Sequence, residues 1–219
     1  SWLLLWRESF VHRLSHFFVS FAAGVLLATA FLELLPEAMG ELSTPTKALA
    51  LTLGGVLLFL ILEKTLLWYH CHDGTCTTHG YRYLIIVGDT VHNFVDGMIM
   101  AVTYLTSPAL GFLTALAVFA HEIPQEIGDA SILHHSGMSR RQVIIINLLS
   151  SLAAFAGAAI VVLGARSILT MAPHLTALIA GGFIYIATAD LLPEVHKDLK
   201  RPHIVIHLAV LLLGVALIW

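Results

Sequence analysis

Charged side chains are scarce in this sequence of 219 residues, in which 11% are charged and 58% are hydrophobic. Soluble domains carry about 25% charged residues, so a mean hydropathy of +0.88 excludes an ordinary soluble protein. The net charge is −3 and no basic run occurs, so nucleic acid is not an expected partner. Cysteine is nearly absent too, and Cys71 and Cys76 lie in one short segment, which excludes a disulfide framework.

Long apolar stretches separated by proline and glycine account for most of the chain. A bilayer core about 30 Å thick needs about 20 apolar residues per helix, and the length suits seven spans joined by short loops. The predicted fold class is therefore all-α, a polytopic membrane helix bundle that forms a single transmembrane domain over residues 1–219. The predicted helices are 16–35, 47–68, 83–105, 108–133, 141–165, 173–192 and 203–219.

The basic residues give an independent test of this layout. If successive helices alternate direction, nine of them fall on one side and only Lys47 and Arg166 on the other. Cytoplasmic loops are enriched in Lys and Arg, which predicts that the side with nine is cytoplasmic and that the C-terminus lies outside. The nine are Arg7, Arg13, Lys64, Arg82, Arg140, Arg141, Lys197, Lys200 and Arg201.

A short motif occurs twice. Glu33-Leu-Leu-Pro-Glu37 and Asp190-Leu-Leu-Pro-Glu194 share an acid–Leu–Leu–Pro–Glu pattern, and in the predicted topology their helices run in opposite directions. Like segments in opposite orientation are the mark of an inverted repeat, which is common in transporters. Because the match is short, chance is the alternative explanation.

Ionisable residues concentrate in the third and fourth predicted helices, where hydrocarbon surroundings make them costly. Because a helix turns every 3.6 residues, spacings of four place side chains on one face. The residues are Asp89, His92, Asn93 and Asp96 in the third helix, and His121, Glu122, Gln125, Glu126 and Asp129 in the fourth.

Two interpretations of these residues compete. Polar groups can hydrogen-bond neighbouring helices together, which would explain one Asn or one His. It explains several carboxylates and two imidazoles poorly, because the carboxylates repel one another unless a cation or protons neutralise them. Neither predicted helix contains Lys or Arg. Imidazole together with carboxylate suits zinc and its first-row neighbours, so the pattern predicts an intramembrane metal site.

These segments closely resemble the ZIP (Zrt-, Irt-like) family of divalent metal transporters. The resemblance rests on His92-Asn-Phe-Val-Asp-Gly97, on His121-Glu-Ile-Pro-Gln-Glu-Ile-Gly-Asp129 and on Ser136-Gly-Met-Ser-Arg140, together with the two Leu-Leu-Pro-Glu stretches. It extends over nearly the whole chain. The chain is similar to the subfamily with a His-Glu-x-Pro-x-Glu motif, where Gln125 replaces a second histidine and offers a weaker ligand.

The resemblance implies an eight-helix fold with an inverted repeat. By that count the first helix is absent from this chain, which contains the other seven. It also implies a metal site between the fourth and fifth family helices, import toward the cytosol, and a homodimer. Ala154 stands where some family members have a glutamate, which puts a full binuclear site in doubt.

Carried over residue by residue, the resemblance implies two sets of ligands and a pathway. The primary ligands would be His92, Asp96, His121, Glu122 and Gln125. Candidates for an adjacent second site are Asn93, Asp96, Glu122 and Glu126. The further pathway residues are Asp129, Asp190, Glu33 and Asp89, with His70, His72 and His79 of a His/Cys-rich cytoplasmic loop over residues 69–82. The alternative for that loop is a solvated segment with chance histidines.

The predicted function is transport of a divalent transition metal into the cytosol rather than enzymatic catalysis. Zinc is the expected cargo, with Cd²⁺, Fe²⁺ and Mn²⁺ as alternatives. The expected location is a bacterial inner membrane, with the segments around Arg13, His72, Arg140 and Lys200 in the cytoplasm. A membrane-embedded zinc-dependent hydrolase is the alternative function, because His121-Glu122 begins like an HExxH motif. A metal-sensing receptor or a structural protein is a further alternative.

Overall fold

The computed structural model describes residues 8–68, 78–197 and 201–219, and these are almost entirely helical. Two π-helical segments, Thr29–Leu34 and Ile186–Leu191, join α1 to α2 and α9 to α10. The described ranges contain no β-strand, which confirms the predicted all-α bundle. The helices are α1 (Glu8–Ala28), α2 (Leu35–Glu41), α3 (Pro45–Trp68), α4 (Thr78–Thr106), α5 (Pro108–His135), α6 (Arg140–Ser151), α7 (Ala153–Leu163), α8 (Ala165–Ile168), α9 (Ala172–Tyr185), α10 (Leu192–Lys197) and α11 (Arg201–Ile218).

Several helical stretches are long and apolar enough to cross a bilayer. Large apolar side chains cover their outer surface, as at Leu163, Phe155 and Leu53, which are 88%, 74% and 59% exposed. Lipid accepts such a surface, so the chain is an integral membrane protein. The five stretches are Phe17–Glu41, Pro45–Thr65, Ile85–Thr106, Arg140–Leu163 and Ala165–Leu191, and Ile204–Ile218 is a shorter apolar helix. The remaining predicted span corresponds to α5, which is 28 residues long and carries the polar and ionisable residues between His121 and Asp129.

The observed helices differ from the predicted ones at several places. Helix α1 begins at Glu8, eight residues before its predicted start. Helix α4 begins at Thr78, five residues before its predicted start, so the last residues of the predicted 69–82 loop are helical and Arg82 lies in the first turns of α4. The predicted fifth helix is interrupted at Leu152, between α6 and α7. The first and sixth helices continue beyond their predicted ends, past Pro36 and Pro193.

The two prolines are tolerated because each follows a π-helical segment. The N–H of Leu35 bonds to the carbonyl of Ala30, and the N–H of Leu192 bonds to that of Ala187. These are bonds to the fifth residue back, and each proline comes directly after one. A proline has no N–H to donate, so it fits the point where the bonding returns from this wider spacing to the α-helical one.

The repeated motif therefore has the same conformation at both places. Packing around it is also reciprocal: α1 contacts α11 and the second π-helical segment, while α9 contacts α3 and the first π-helical segment. The first and sixth spans of an alternating chain run in opposite directions. Sequence, conformation and packing thus agree with an inverted repeat.

Helix α4 is fixed by close contacts with its neighbours on two sides. It packs against α5 and α7, and a Cβ at Gly97 would lie 1.8 Å from the carbonyl oxygen of Ala154. From the α7 side, a Cβ at Gly157 would lie 2.0 Å from the carbonyl oxygen of Phe94. Small residues permit this approach of two membrane helices. The approach sets the position of the α4 face that carries the polar residues.

Candidate metal centre

Four of the predicted ligands come together at the contact between α4 and α5. His92 and Asp96 lie one turn apart on α4, and His121 and Glu122 are adjacent on α5. Each offers one ligand atom, and these atoms all lie within 4.8 Å of one another. We call these residues the four-residue cluster.

The nitrogen and oxygen atoms of the four-residue cluster converge on one point. The Nε2 atoms of His92 and His121 are 3.1 Å apart. Nε2 of His92 is 3.5 Å from Oε1 of Glu122 and 3.7 Å from Oδ2 of Asp96. Nε2 of His121 is 3.2 Å from the same Oδ2 of Asp96.

The ring of His121 is oriented by the backbone of its own helix. Its Nδ1 lies 3.0 Å from the carbonyl oxygen of Ala117, and that oxygen can only accept a hydrogen bond. Nδ1 therefore carries the proton, and in the neutral ring Nε2 presents its lone pair to the four-residue cluster. Zinc-binding histidines in proteins are commonly oriented by this kind of bond from the second ring nitrogen.

The carboxylates of the four-residue cluster lack donors. Among the described residues, both oxygens of Asp96 and Oε1 of Glu122 are buried without a hydrogen-bond partner. Asp96 is 1% exposed and His121 is wholly buried. A buried charged oxygen without a donor is costly, and a divalent cation would neutralise both carboxylates at once.

Fixed positive side chains are directed elsewhere. Since α4 starts earlier than predicted, it includes Arg82, which was expected to precede the helix. Arg82 donates from Nε to Oγ of Ser136 at 2.9 Å and from Nη2 to the Ser136 carbonyl. Lys64 on α3 pairs with Glu63 at 2.5 Å. Within the part of the chain that the structure describes, no Lys or Arg pairs with the two imidazoles and two carboxylates, and such a donor set suits Zn²⁺.

Glu126 lies one turn beyond Glu122 but contacts α6 instead of the four-residue cluster. Its Oε1 accepts from Oγ of Ser151 at 3.0 Å, and its Oε2 accepts from Nδ2 of Asn147. Asn93 donates to Oδ1 of Asp89 at 2.9 Å, and both are buried. Polar and apolar groups surround a cavity of about 760 Å³ between these helices, lined by residues that include Asn93, Glu122, Glu126, Asn147 and Ser151.

The other predicted residues are more dispersed. Gln125 and Asp129 are half-buried on α5, one and two turns beyond His121. Glu33 is half-buried in the first π-helical segment, and Asp190 is exposed in the second. His70 and His72 lie outside the described residues, as does the side chain of His79.

Sequence reasoning missed the residues that bind Glu126. Asn147 and Ser151 lie on α6, and Asn147 is 3% exposed. An Asn and two adjacent serines inside an Ile- and Leu-rich span were the available signal. Ala154, assigned to the family's glutamate position, instead presents its backbone to Gly97.

A second polar group was also missed. Tyr185 on α9 donates its hydroxyl to Oε2 of Glu63 on α3. It lies outside the four-residue cluster and links the two helices that pack around Gly181.

Comparison with known proteins gives one consistent answer. The family model described as ZIP zinc transporter matches residues 3–81 and 70–219. Zinc transporter ZIP13 of Pongo abelii is 34% identical over 194 residues, which cover 82% of this chain and 58% of that protein. Zinc transporter ZIP4 of Homo sapiens is 42% identical over 115 residues, which cover 52% of this chain and 18% of that protein.

A third relative, zinc transporter foi of Drosophila melanogaster, is 39% identical over 133 residues, 59% of this chain and 19% of that protein. The chain thus spans less than two thirds of the length of each of these relatives. Family and relatives are described as transporters, so the hydrolase alternative gains no support. Because the family model covers nearly the whole chain and its helices bring the resembling motifs together, the chain belongs to the ZIP zinc transporter family.

Proposed function

We propose that this chain transports a divalent transition metal across a membrane into the cytosol. Zinc is the proposed cargo, and Cd²⁺, Fe²⁺ and Mn²⁺ are the alternatives. The metal is bound in transit by His92, Asp96, His121 and Glu122. The observation that carries the proposal is the convergence of two imidazoles with the buried carboxylate of Asp96 and the half-buried carboxylate of Glu122. Both oxygens of Asp96 and Oε1 of Glu122 lack a hydrogen-bond partner among the described residues. The relatives' names support zinc as cargo.

The donor set suits passage better than permanent storage. A transported ion must bind well enough to leave its water shell and weakly enough to depart. Two carboxylates balance the charge of a divalent cation, and two neutral imidazoles add donors without adding charge. Gln125 is proposed as a further ligand of this site, and Asn93 and Glu126 as ligands of an adjacent second site outside the four-residue cluster.

The orientation of the chain is proposed from the distribution of basic residues, and import toward the cytosol is proposed from the family resemblance. The side richer in Lys and Arg is taken as cytoplasmic, so the segments around Arg13, His72, Arg140 and Lys200 face the cytosol. A bacterial inner membrane remains the proposed location, although the curated relatives named above are animal proteins. A homodimer is proposed from the family resemblance, as is a collecting role for the His/Cys-rich segment.

A flux assay tests the proposal. Purified protein is reconstituted in liposomes that enclose a zinc-sensitive dye, and zinc is added outside. We expect a dye signal for the wild type and its loss in Asp96→Ala and Glu122→Ala. The matched control is Glu41→Gln, which removes an exposed carboxylate at the end of α2 and should keep the flux. Equal flux in all four proteins, or no flux in any, contradicts the proposal.

A further inference from the structure

Helix α6 holds Glu126 by both of its carboxylate oxygens. Nδ2 of Asn147 donates to Oε2, and Oγ of Ser151 donates to Oε1 at 3.0 Å. Asn147 and Ser151 stand one turn apart, and the single hydroxyl proton of Ser151 is shared between Oε1 of Glu126 and the Asn147 carbonyl oxygen, which lies 2.8 Å from Oγ. Two neutral donors on one helix therefore orient a charged group on another.

The contact keeps Glu126 apart from the ligands nearest to it in sequence. Glu126 follows Glu122 by four residues on α5, and side chains with this spacing have Cβ atoms about 5–6 Å apart. Yet the atoms that lie within 4.8 Å of one another belong to His92, Asp96, His121 and Glu122. The cavity of about 760 Å³ bordered by Glu122 and Glu126 leaves room for Glu126 to rotate.

The energetics of Asn147 point to the same role. Its side chain is 3% exposed, and its Oδ1 is buried without a donor. Leaving a buried polar group unpaired is unfavourable, so an Asn placed here for packing alone would destabilise the protein. Its amide group is used for Glu126, both for the carboxylate and, at 3.4 Å, for the Glu126 carbonyl oxygen.

We propose that Asn147 and Ser151 are positioning residues that hold Glu126 off the four-residue cluster as a reserve carboxylate. This inference rests on the proposed function. Zinc in the four-residue cluster then meets two carboxylate charges that balance its own. With Glu126 added, three negative charges would surround two positive ones, and the ion would bind more tightly and leave more slowly. Helix α6 thereby sets the affinity of a site to which it contributes no ligand.

Zinc affinity in detergent, measured by competition with a chelating dye, tests the inference. The proteins are the wild type, Ser151→Ala, Asn147→Ala and the double variant, each with Glu126 and with Glu126→Gln. Freed from α6, Glu126 should tighten zinc binding on the order of tenfold in the double variant and slow zinc release in proportion. In the Glu126→Gln proteins the same changes should have no effect. Ser151→Ala removes only a hydroxyl and gives a milder form of the test if Asn147→Ala folds poorly.

The outcomes separate the two proposals. Unchanged or weaker zinc affinity in the α6 variants overturns the inference, as does tightening that persists with Glu126→Gln. In both cases normal zinc binding by the wild type, lost in Asp96→Ala, leaves the proposed function intact. A wild type that does not bind zinc, or binds it as well after Asp96→Ala, overturns both.

Discussion

The Nε2 atoms of His92 on α4 and His121 on α5 lie 3.1 Å apart. Since Nδ1 of His121 faces the Ala117 carbonyl oxygen, its Nε2 presents a lone pair toward the other ring. Two imidazole nitrogens and Oδ2 of Asp96 meet there, and no Lys or Arg of the described ranges pairs with them. This relationship between two helices is the basis of the metal site.

Loss of one imidazole should weaken zinc binding more than any change at the protein surface. For His121→Gln we expect zinc affinity to fall on the order of 100-fold, because a ligand of the four-residue cluster is replaced by a weaker one. Competition with a chelating dye measures it. The matched control is His196→Gln, since His196 is exposed on α10 and bonds to its own helix at Leu192. Equal losses in the two variants would show that the effect is not specific to the site.

Zinc should stabilise the folded protein through the same residues. A ligand at 100 times its dissociation constant adds about 2.7 kcal/mol to the free energy of unfolding, and the wild type should show a matching rise in its thermal midpoint. In Asp96→Asn, which keeps the shape but removes the charge, the rise should disappear. A zinc-induced shift of the same size in Asp96→Asn would place the bound metal elsewhere.

Acid should oppose zinc binding. Metal binding requires neutral imidazole and ionised carboxylate, so protons compete with the metal. Zinc affinity should therefore be highest at neutral or higher pH and fall as the pH is lowered. We expect at least about a tenfold loss between pH 7.5 and pH 5.5, and a shallower dependence for His121→Gln. An affinity that stays constant over this range would argue against imidazole ligands.

The α4–α7 contact should tolerate no side chain at Gly97. In Gly97→Ala the new Cβ meets the Ala154 carbonyl at 1.8 Å, so the two helices must separate, at a cost of about 1–3 kcal/mol. Both the thermal midpoint and the zinc affinity should fall. The matched control is Gly88→Ala on the same helix, where no atom lies within 4 Å of a new Cβ. If Gly97→Ala were as stable as Gly88→Ala, the close approach of α4 to α7 at Gly97 would not be what positions α4.

Much of this fold was predictable, because membrane helices are specified locally by the length of each apolar stretch and by the proline and glycine residues that separate the stretches. The ends of the first and sixth spans could not be predicted, because proline ordinarily ends a helix and these two spans continue past Pro36 and Pro193. There the π-helical bonds at Leu35 and Leu192 directly precede the two prolines, and the helical path continues past them. The repeated acid–Leu–Leu–Pro–Glu motif indicated that the two places were alike, but it did not reveal the conformation.

For the site, helical spacing gave the faces of α4 and α5, and the family resemblance gave the ligands. Helical spacing could not identify the hydrogen-bond partners of Glu126. Asn147 and Ser151 come from a third helix, and their contact depends on how α6 packs against α5. One residue of a predicted ligand set is thereby bound to a neighbouring helix, which no periodicity within α5 indicates.

X-ray absorption at the zinc edge, on the zinc-loaded protein, identifies the ligands of the metal bound in the four-residue cluster. We expect two imidazole nitrogens at about 2.0–2.1 Å, with oxygens of Asp96 and Glu122 completing the site, and loss of one imidazole in His92→Gln. Sulfur ligands from Cys71 and Cys76, or a spectrum unchanged by His92→Gln, would contradict this expectation.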